Sequence, residues 1–372
     1  MTELAGKIKG IKYSKSFHDD LPEMDFNSNI NEWNTRCCVN YNGILYSVSK
    51  WVSPKRTRSY PYSRVYDTYN ICGGKTVTII PIVKDEGADG DMDYLQWDTI
   101  SLMSLLNVYV ILGYYADAEV NKRRNVKPNK ITMQKFDDEY IKEKFQELSE
   151  YHSSSLHWNV DQLKINNLNL LMDKVIKSYA NISIKTGIKL HKTTNLENFK
   201  DKITYDLNSF MSMSRAKAKQ AQNREYLTIQ PKEILGKGVK TKIEIENYLG
   251  GNYFFTIDDV LINDNTYKLI ESKHSNSSLM PSLDDIKDGL LKMIVYSNIN
   301  ELKNVAGSVN FKPALRLTST KIKGFLSSDI CSEEQINHFI KNNKFSKQNI
   351  EIILKLVNEA QNNNFELIIE QV

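Results

Sequence analysis

The sequence predicts an α/β fold in which a mixed central β-sheet is flanked by helices and preceded by a large N-terminal α+β region. Three observations support this prediction. The run TVTIIPIV at residues 76–83 is apolar and β-branched, as is typical of a buried strand. Residues 243–270 change to strand character around two adjacent glycines. After residue 252, the predicted order of strand, strand, helix and strand indicates a mixed sheet with helices packed against it.

The N-terminal elements follow from the apolar pattern in chain order. Residues 1–75 have the character of short strands and turns, and an acidic loop at 84–93 follows the strand at 76–83. We expect a buried helix with Asp98 as its N-cap, continuing to about residue 121. Amphipathic helices are expected over much of residues 136–224.

The composition is that of an ordinary globular protein. Of 372 residues, 41% are hydrophobic and 25% are charged, and the net charge of +4 permits a polyanionic partner without requiring one. The four cysteines form no C-x-x-C pair, which argues against a zinc site or a secreted disulfide scaffold. The most apolar run, residues 100–115, is too short to span a bilayer, and the N-terminus has no apolar signal core. We therefore expect a cytoplasmic protein.

Residues 254–274 predict a β-hairpin. Two apolar runs flank the Asn-Asp-Asn segment at 263–265, and these residue types tolerate a tight turn. A loop of even length, centred between the second and third of these residues, pairs Ile262 with Tyr267.

Three charged side chains converge in this register. Asp258 lies opposite Glu271, and Lys273 shares the face of Glu271 because side chains alternate along a strand. Burying such groups among apolar strands is costly unless something compensates, and Mg²⁺ takes oxygen ligands of this kind. We therefore predict a magnesium site here. A turn of odd length would place Asp259 opposite Glu271 instead, but we prefer Asp258.

The Glu-x-Lys spacing is weak by itself. It also occurs at Glu301-Leu302-Lys303, where no acidic strand precedes it. Charged residues at the end of a strand are more often a solvated polar face. The acid on the preceding strand and the apolar residues leading into Glu271 favour a functional site.

Asp258, then twelve residues, then Glu271-Ser272-Lys273 resembles the PD-(D/E)xK nuclease superfamily, and within it the type II restriction endonucleases. The residue before the first acid is Ile257 where many members have proline. The resemblance covers residues 224–300 and implies a restriction-endonuclease-like core.

The resemblance also implies a role for each residue. Asp258 and Glu271 would bind Mg²⁺ with the backbone carbonyl of Ser272, and Asp259 is the alternative to Asp258. Lys273 would orient or deprotonate the attacking water and stabilise charge on the phosphorus. The products would carry 5′-phosphate and 3′-hydroxyl ends.

Four further residues are possible supports of this site. Lys292, four residues before Tyr296, resembles the polar-x-x-x-Tyr pattern on a helix of some members. Glu233 and Glu246 are candidates for an additional acid, although a structural role is the simpler interpretation of each.

Two basic segments are candidates for contact with DNA. Residues 49–66 combine cations with aromatic side chains, which suits phosphate contact and base stacking, and residues 214–224 form a basic helix. The predicted DNA-binding residues are Lys50, Lys55, Arg56, Arg58, Arg64, Arg215 and Lys219, with Trp51, Tyr60, Tyr62 and Tyr66 interleaved. A solvated basic surface is the alternative.

The expected function is Mg²⁺-dependent cleavage of double-stranded DNA by a homodimer of a restriction-modification system. We expect residues 1–200 to serve recognition and self-association, 201–330 to form the nuclease core, and 331–372 to add helices packed on it. The alternatives are a repair or recombination nuclease of the same superfamily and a non-catalytic DNA-binding protein or inhibitor. The acidic loop at 89–93 lacks the glycine and glutamate of a calcium loop, so we expect a solvated turn there.

Overall fold

The computed structural model describes most of the chain, and in this part the protein has the predicted mixed α/β fold. The described residues are 3–17, 20–54, 59–122, 125–205, 210–212, 214–216, 219–220, 222–223, 239–248, 251–263 and 266–372. The chain forms two compact units. Unit 1 consists of Met1–Asp19 and Ala218–Val372, and unit 2 consists of Asp20–Lys217.

The secondary structure alternates between strands and helices along the chain. The strands are β1 (Glu3–Ile8), β2 (Glu23–Asp25), β3 (Arg36–Tyr41), β4 (Ile44–Lys50), β5 (Thr76–Pro81), β6 (Val83–Asp85), β7 (Met92–Tyr94), β8 (Val108–Gly113), β9 (Tyr115–Val120), β10 (Ile131–Phe136), β11 (Thr241–Asn247), β12 (Asn252–Ile257), β13 (Asp259–Asn263), β14 (Thr266–Ser275), β15 (Ile299–Asn304), β16 (Gly307–Ser308), β17 (Asn310–Ser319), β18 (Phe325–Ser327) and β19 (Glu366–Gln371). The helices are α1 (Ser59–Thr68), α2 (Trp97–Leu105), α3 (Asp138–Glu150), α4 (Ser155–Asp161), α5 (Ile165–Thr186), α6 (Thr193–Tyr205), α7 (Leu283–Ser297), α8 (Glu333–Asn343) and α9 (Lys347–Asn362).

Unit 1 contains two five-stranded sheets. The first has the order β12-β11-β1-β15-β16, with β1 parallel to β11. The second has the order β13-β14-β17-β19-β18. Its central strands β14, β17 and β19 run parallel, and β13 and β18 pair antiparallel at the two edges. Helix α7 packs against β14 and β17, so one face of this sheet is covered by a helix.

Helix α7 forms where the sequence predicts a helix, because its N-cap residue, the acids of its first turn and its apolar face all favour a helix there. The Ser282 side chain accepts a hydrogen bond from the backbone N–H of Asp285 at the N-cap. Two acids in the first turn, Asp284 and Asp285, complement the positive end of the helix dipole. An apolar face that includes Ile286, Leu290 and Ile294 is buried, and this burial fixes which side of the helix meets the sheet.

Unit 2 is built on the five-stranded sheet β2-β3-β4-β5-β8, with the pairs β9-β10 and β6-β7 beside it. The hydrophobic core of this unit is rich in aromatic residues and includes Trp33, Tyr46, Phe145 and Trp158. The parallel pair of β5 and β8 lies at the end of the sheet, and both strands are fully buried. Burial of both strands explains why their sequences are almost entirely apolar.

The predicted helix from Asp98 to about residue 121 is wrong beyond Leu105. Helix α2 ends at Leu105, and the chain then forms β8 and β9. Gln96 occupies the N-cap position and Asp98 lies in the first turn. A short, fully apolar run fits a doubly buried strand as well as a buried helix, so periodicity could not separate the two.

The units divide the chain differently from the predicted domains. Strand β1 joins unit 1 because it pairs with β11. Residues 331–372 contain the two expected helices and also β19, which lies inside the second sheet between β17 and β18. Among the described residues, no helix is both long and apolar enough to cross a membrane.

Candidate active site

The β13–β14 pair has the predicted register. Ile262 lies opposite Tyr267, and the antiparallel ladder extends to Asp259 opposite Ile270. Turn residues 264–265 lie outside the described part of the chain. The hairpin departs from the prediction in its first strand, because β12 pairs with β11 in the other sheet and the chain bends at Asp258 before β13 begins.

Asp258 therefore lies where the chain passes from one sheet to the other. Its Oδ2 accepts a hydrogen bond of 2.9 Å from the backbone N–H of Ser272 on β14. The side chain is 9% exposed. A carboxylate held by a backbone donor at a strand end is fixed in direction, which is a requirement for a metal ligand.

Glu271 is the centre of a buried charged cluster beneath α7. It is fully buried, and its Oε1 accepts a hydrogen bond of 2.8 Å from Lys292 Nζ. Lys273 Nζ lies 3.0 Å from the same oxygen and also donates to Asp288 Oδ2. The predicted residues Glu271, Lys273 and Lys292 are thus brought together.

Asp288 is the member of this cluster that the sequence did not reveal. It lies on α7 and is 5% exposed, and its carboxylate contacts Lys273. With Asp258 and Glu271 it makes three carboxylates against two lysines, a formal charge of −1. One signal was available, because Asp288 and Lys292 are separated by one helical turn on the helix that follows the Glu-x-Lys strand.

The carboxylates keep both lysines protonated. Burial, the largest single influence, lowers the pKa of Lys273, but Glu271 and Asp288 together raise that pKa well above its ordinary value. The pKa of Lys292 is also raised despite burial, by Glu271 foremost and by Asp258 among the smaller influences. The effect of Asp258 on Lys292 shows that its charge acts on the same cluster.

A glycine on α7 allows the helix to lie close to Lys273. A Cβ added at Gly289 would lie 2.6 Å from Leu315 Cδ1 and 3.4 Å from Lys273 Cε. The first distance is too short for any real Cβ contact, so a larger residue would force Leu315 or the helix to move. The aliphatic stem of Lys273 is therefore confined between the strand and the helix backbone.

The opposite face of β14 carries a separate ion pair. Arg316 Nη1 donates to Asp259 Oδ2 at 3.1 Å, and Arg316 Nε donates to Ser272 Oγ at 3.0 Å. Asp259 and Ser272 side chains thus point away from Glu271 and Lys273. The structure brings Asp258, and not Asp259, toward the charged cluster. Arg316 was missed, although an arginine in the otherwise apolar run PALRL was a usable signal.

The other supporting candidates differ in their surroundings. Tyr296 is fully buried, and its ring packs edge-on against Phe255 with 6.0 Å between centroids. Glu246 has an exposed side chain on β11, with its Oε2 4.0 Å from Lys7 Nζ. Glu233 lies outside the described residues.

The described residues contain no group of three or more His, Cys, Asp or Glu side chains arranged to hold a metal ion. The acidic loop at 89–93 is held by the protein's own donors. Asp89 Oδ2 accepts from the backbone N–H of Asn129 at 2.7 Å, and the buried Asp93 accepts from Ser53 Oγ at 2.6 Å. Burial of Asp93 corrects the expectation of a solvated turn.

The predicted DNA contact at residues 49–66 is wrong for its described aromatic residues and for Lys50. Trp51, Tyr62 and Tyr66 are buried in unit 2. Lys50 is also buried, and its ammonium donates to the backbone carbonyls of Ile30 and Trp33. Lys50 is the last residue of β4, which lies inside the sheet, and Trp51 follows it, whereas Tyr62 and Tyr66 lie on α1, which packs against β4.

The remaining basic candidates divide into three groups. Arg64 Nη1 donates a hydrogen bond of 2.6 Å to the backbone carbonyl of Lys50, so this side chain links α1 to the end of β4. Lys55, Arg56 and Arg58 lie outside the described residues, and the side chain of Tyr60 is not among those described. Lys219 is exposed and Arg215 is half-buried.

Comparison of the chain with protein-family models, with curated proteins and with solved structures gave no match.

Proposed function

We propose that this protein is a magnesium-dependent endonuclease that hydrolyses phosphodiester bonds of double-stranded DNA at specific sequences. The observation that carries the proposal is the convergence of Asp258, Glu271 and Lys273 beneath α7. Two carboxylates and an amine in this order, on a bend and the adjacent strand, are the components that the PD-(D/E)xK resemblance requires.

The donor set suits Mg²⁺ better than a cation that needs a complete protein cage. Asp258 and Glu271 would hold the ion, with water and substrate phosphate completing its oxygen ligands. The cluster has a formal charge of −1, so Mg²⁺ and one DNA phosphate would bring the site to neutrality. When bound, the ion would polarise the phosphate and lower the pKa of a coordinated water.

In this proposal Lys273 orients the attacking water and stabilises the charge that develops on the phosphate, and it does not act as a base. Its raised pKa keeps the ammonium charged at neutral pH. Two of its three N–H groups are directed to Glu271 and Asp288, and the third donates a hydrogen bond to the attacking water or to a phosphate oxygen. Water adds to phosphorus, the bond from phosphorus to the 3′ oxygen breaks, that oxygen takes a proton, and the water proton passes to solvent. Asp288 holds Lys273 in position, and Lys292 balances the charge of Glu271.

The proposal extends to a homodimer acting in the cytoplasm. Cleavage of both strands at a symmetric site needs two equivalent active sites, which a twofold dimer supplies. Light scattering after size-exclusion chromatography, with and without duplex DNA, tests this part. A monomer in both conditions would contradict it.

The central experiment is digestion of plasmid DNA with Mg²⁺, with a parallel sample in excess EDTA. Discrete fragments that require Mg²⁺ are expected. A smear would retain the nuclease chemistry but remove sequence specificity. Intact plasmid in both Mg²⁺ and Mn²⁺, with protein shown to be folded, would overturn the proposal.

A further inference from the structure

Two thiols of unit 2 lie in direct contact. Cys38 Sγ is 2.8 Å from Cys72 Sγ, and neither cysteine is in a disulfide. The bond length of a disulfide is about 2.05 Å, so a movement of less than about 1 Å would bring the two sulfurs to bonding distance. Cys38 lies on β3, and Cys72 lies between α1 and β5. The fold thus brings together two thiols from separate elements.

The backbone around the two cysteines holds the sulfurs in place. Cys38 lies opposite Ser47 on β4, and the Ser47 hydroxyl accepts a hydrogen bond of 3.1 Å from the backbone N–H of Cys72. Two residues on, the backbone N–H of Gly74 donates to the carbonyl of Leu45 at 3.1 Å. A Cβ added at Gly74 would lie 2.5 Å from that carbonyl oxygen, so this segment lies directly against β4. The contact between the sulfurs therefore follows from fixed backbone positions.

The adjacent Cys37 is directed to the other face of the sheet. It belongs to the hydrophobic core together with Val39, and side chains alternate along a strand. Cys38 is thus the thiol of this pair that meets Cys72. The fourth cysteine, Cys331, belongs to unit 1, where its Sγ accepts from the backbone N–H of Ser327 at 3.3 Å. Cys37 and Cys331 provide internal controls.

The two sulfurs differ in their access to solvent. Cys38 is buried, and this burial foremost, with the hydrogen bond to Cys72, raises the pKa of its thiol to about 12. It therefore keeps its proton at neutral pH. Cys72 is only half-buried. Because an oxidant from solvent reaches the more accessible sulfur, we expect Cys72 to react first and Cys38 second.

We propose that Cys38 and Cys72 form a modification site at which a peroxide produces a reversible disulfide within the native fold. The Cys72 sulfur attacks one oxygen of hydrogen peroxide, the S–O bond forms, the O–O bond breaks, and the hydroxide takes the Cys72 proton to become water. The Cys38 sulfur then attacks the Cys72 sulfur, the S–S bond forms and the S–O bond breaks. The second hydroxide leaves as water with the Cys38 proton.

The balance of this sequence is complete. Two thiols lose two electrons to form the disulfide, and one peroxide gains them to give two waters. A dithiol such as dithiothreitol reverses the bond by exchange. The proposal uses residues of unit 2 alone and does not depend on the proposed nuclease activity.

The test counts free thiols in the full-length protein. Reduced protein is treated with hydrogen peroxide, denatured, and labelled with N-ethylmaleimide before its mass is measured. Two of the four cysteines should then be unlabelled, and dithiothreitol before labelling should restore all four labels. Four labels after peroxide, or a loss of labels that dithiothreitol does not reverse, would overturn the proposal.

Peptide mapping identifies the bonded pair. Trypsin releases Cys38 in residues 37–50 and Cys72 in residues 65–75, and without reduction these two peptides should be linked. Cys72→Ser should abolish the link. Cys37→Ala and Cys331→Ser are the controls and should retain it, the first because residues 37–50 contain both adjacent cysteines. A link that survives Cys72→Ser, or that is lost in a folded Cys37→Ala protein, would exclude this pair.

Urea unfolding shows whether the native fold accommodates the bond. The cross-link joins residues 34 positions apart in the chain, and it restricts the unfolded state more than the folded state. Oxidation should therefore raise the urea midpoint of unit 2 by about 1–2 M, followed by tryptophan fluorescence. Oxidised Cys72→Ser is the control and should show no increase. A lower midpoint in the oxidised wild type would mean that the bond distorts the fold, and would also overturn the proposal.

Discussion

The backbone N–H of Ser272 donates a hydrogen bond of 2.9 Å to Oδ2 of Asp258, across the bend between β12 and β13. Because Asp259 pairs with Arg316 on the other face, two adjacent acids are directed to opposite sides of the same strand pair. Only Asp258 acts on the cluster that contains Glu271. The bend therefore decides which of the two acids could serve the proposed metal site.

Lys273→Ala should reduce DNA cleavage by at least about 10³-fold while changing DNA affinity little. The reason is that Lys273 acts on the attacking water and on transition-state charge more than on ground-state binding. The measurement is single-turnover cleavage with Mg²⁺, together with a binding titration in Ca²⁺.

The chain provides its own control for this variant. Lys303 occupies the same position in a second Glu-x-Lys, and its Nζ lies 2.9 Å from Glu301 Oε1 on the half-exposed strand β15. Lys303→Ala should cleave at the wild-type rate. If Lys273→Ala and Lys303→Ala cleave DNA at equal rates, the charged cluster around Glu271 is not the catalytic site.

Asp258→Asn should mainly reduce DNA cleavage, whereas Asp259→Asn should mainly reduce the stability of the protein. The first removes a charged metal ligand, so cleavage should fall by at least about 10²-fold and the Mg²⁺ requirement should rise, with little loss of stability. The second breaks a buried ion pair with Arg316 and should lower the free energy of unfolding by about 3–5 kcal/mol.

Urea unfolding and a Mg²⁺ titration of the cleavage rate measure the two effects. Loss of cleavage in a fully folded Asp259→Asn protein, with normal cleavage by Asp258→Asn, would reverse the assignment of the first ligand.

Much of this site follows from local rules, and the rest depends on long-range packing. The even turn set the register that pairs Ile262 with Tyr267, and alternation placed Glu271 and Lys273 on one face. Asp288 could not be assigned from the hairpin, because it reaches Lys273 only once α7 docks on the sheet. No local pattern encodes that docking.

The prediction of DNA contact at residues 49–66 was wrong for Lys50 and for the described aromatic residues, and the reason is related. Interleaved cations and aromatic rings describe a DNA-binding surface and an aromatic core equally well. Burial was decided by partners far along the chain, since β4 pairs with β5 across an intervening helix. Sequence proximity alone could not reveal that pairing.

Gly289→Ala should reduce the rate of DNA cleavage, although Gly289 is not one of the charged residues of the cluster. The new methyl group would meet Leu315 Cδ1 and press on the stem of Lys273, so the helix or the lysine must shift. We expect a loss of stability of about 1–3 kcal/mol and a fall in cleavage rate with DNA affinity retained.

Gly10→Ala is the comparison for this variant, because nothing lies within 4 Å of a Cβ added there. It should match the wild type in both stability and cleavage. Replacing Leu315 with valine in the Gly289→Ala protein should restore part of the rate. No recovery, or normal cleavage in Gly289→Ala alone, would show that close approach of α7 is not needed.

The stability of unit 2 should depend on pH through Lys50. Burial, with a smaller contribution from Arg64, lowers the pKa of Lys50 from 10.5 to about 8, and only Cys37 opposes the change. Between those two pH values the unfolded chain binds more protons at this lysine than the folded protein. The free energy of unfolding therefore rises with pH across this window, and the penalty for burying the charge is greatest below pH 8.

Comparison of the wild type with Lys50→Met isolates this effect, since other titrating groups are common to both proteins. The stability of the wild type relative to the variant should increase between pH 7.5 and pH 10, by on the order of 1–3 kcal/mol. Urea unfolding followed by tryptophan fluorescence reports on unit 2 alone, because all four tryptophans lie there. The difference in the free energy of unfolding, wild type minus Lys50→Met, should therefore grow as the pH rises. If it stays constant or shrinks, burial of the charged Lys50 does not destabilise the folded protein.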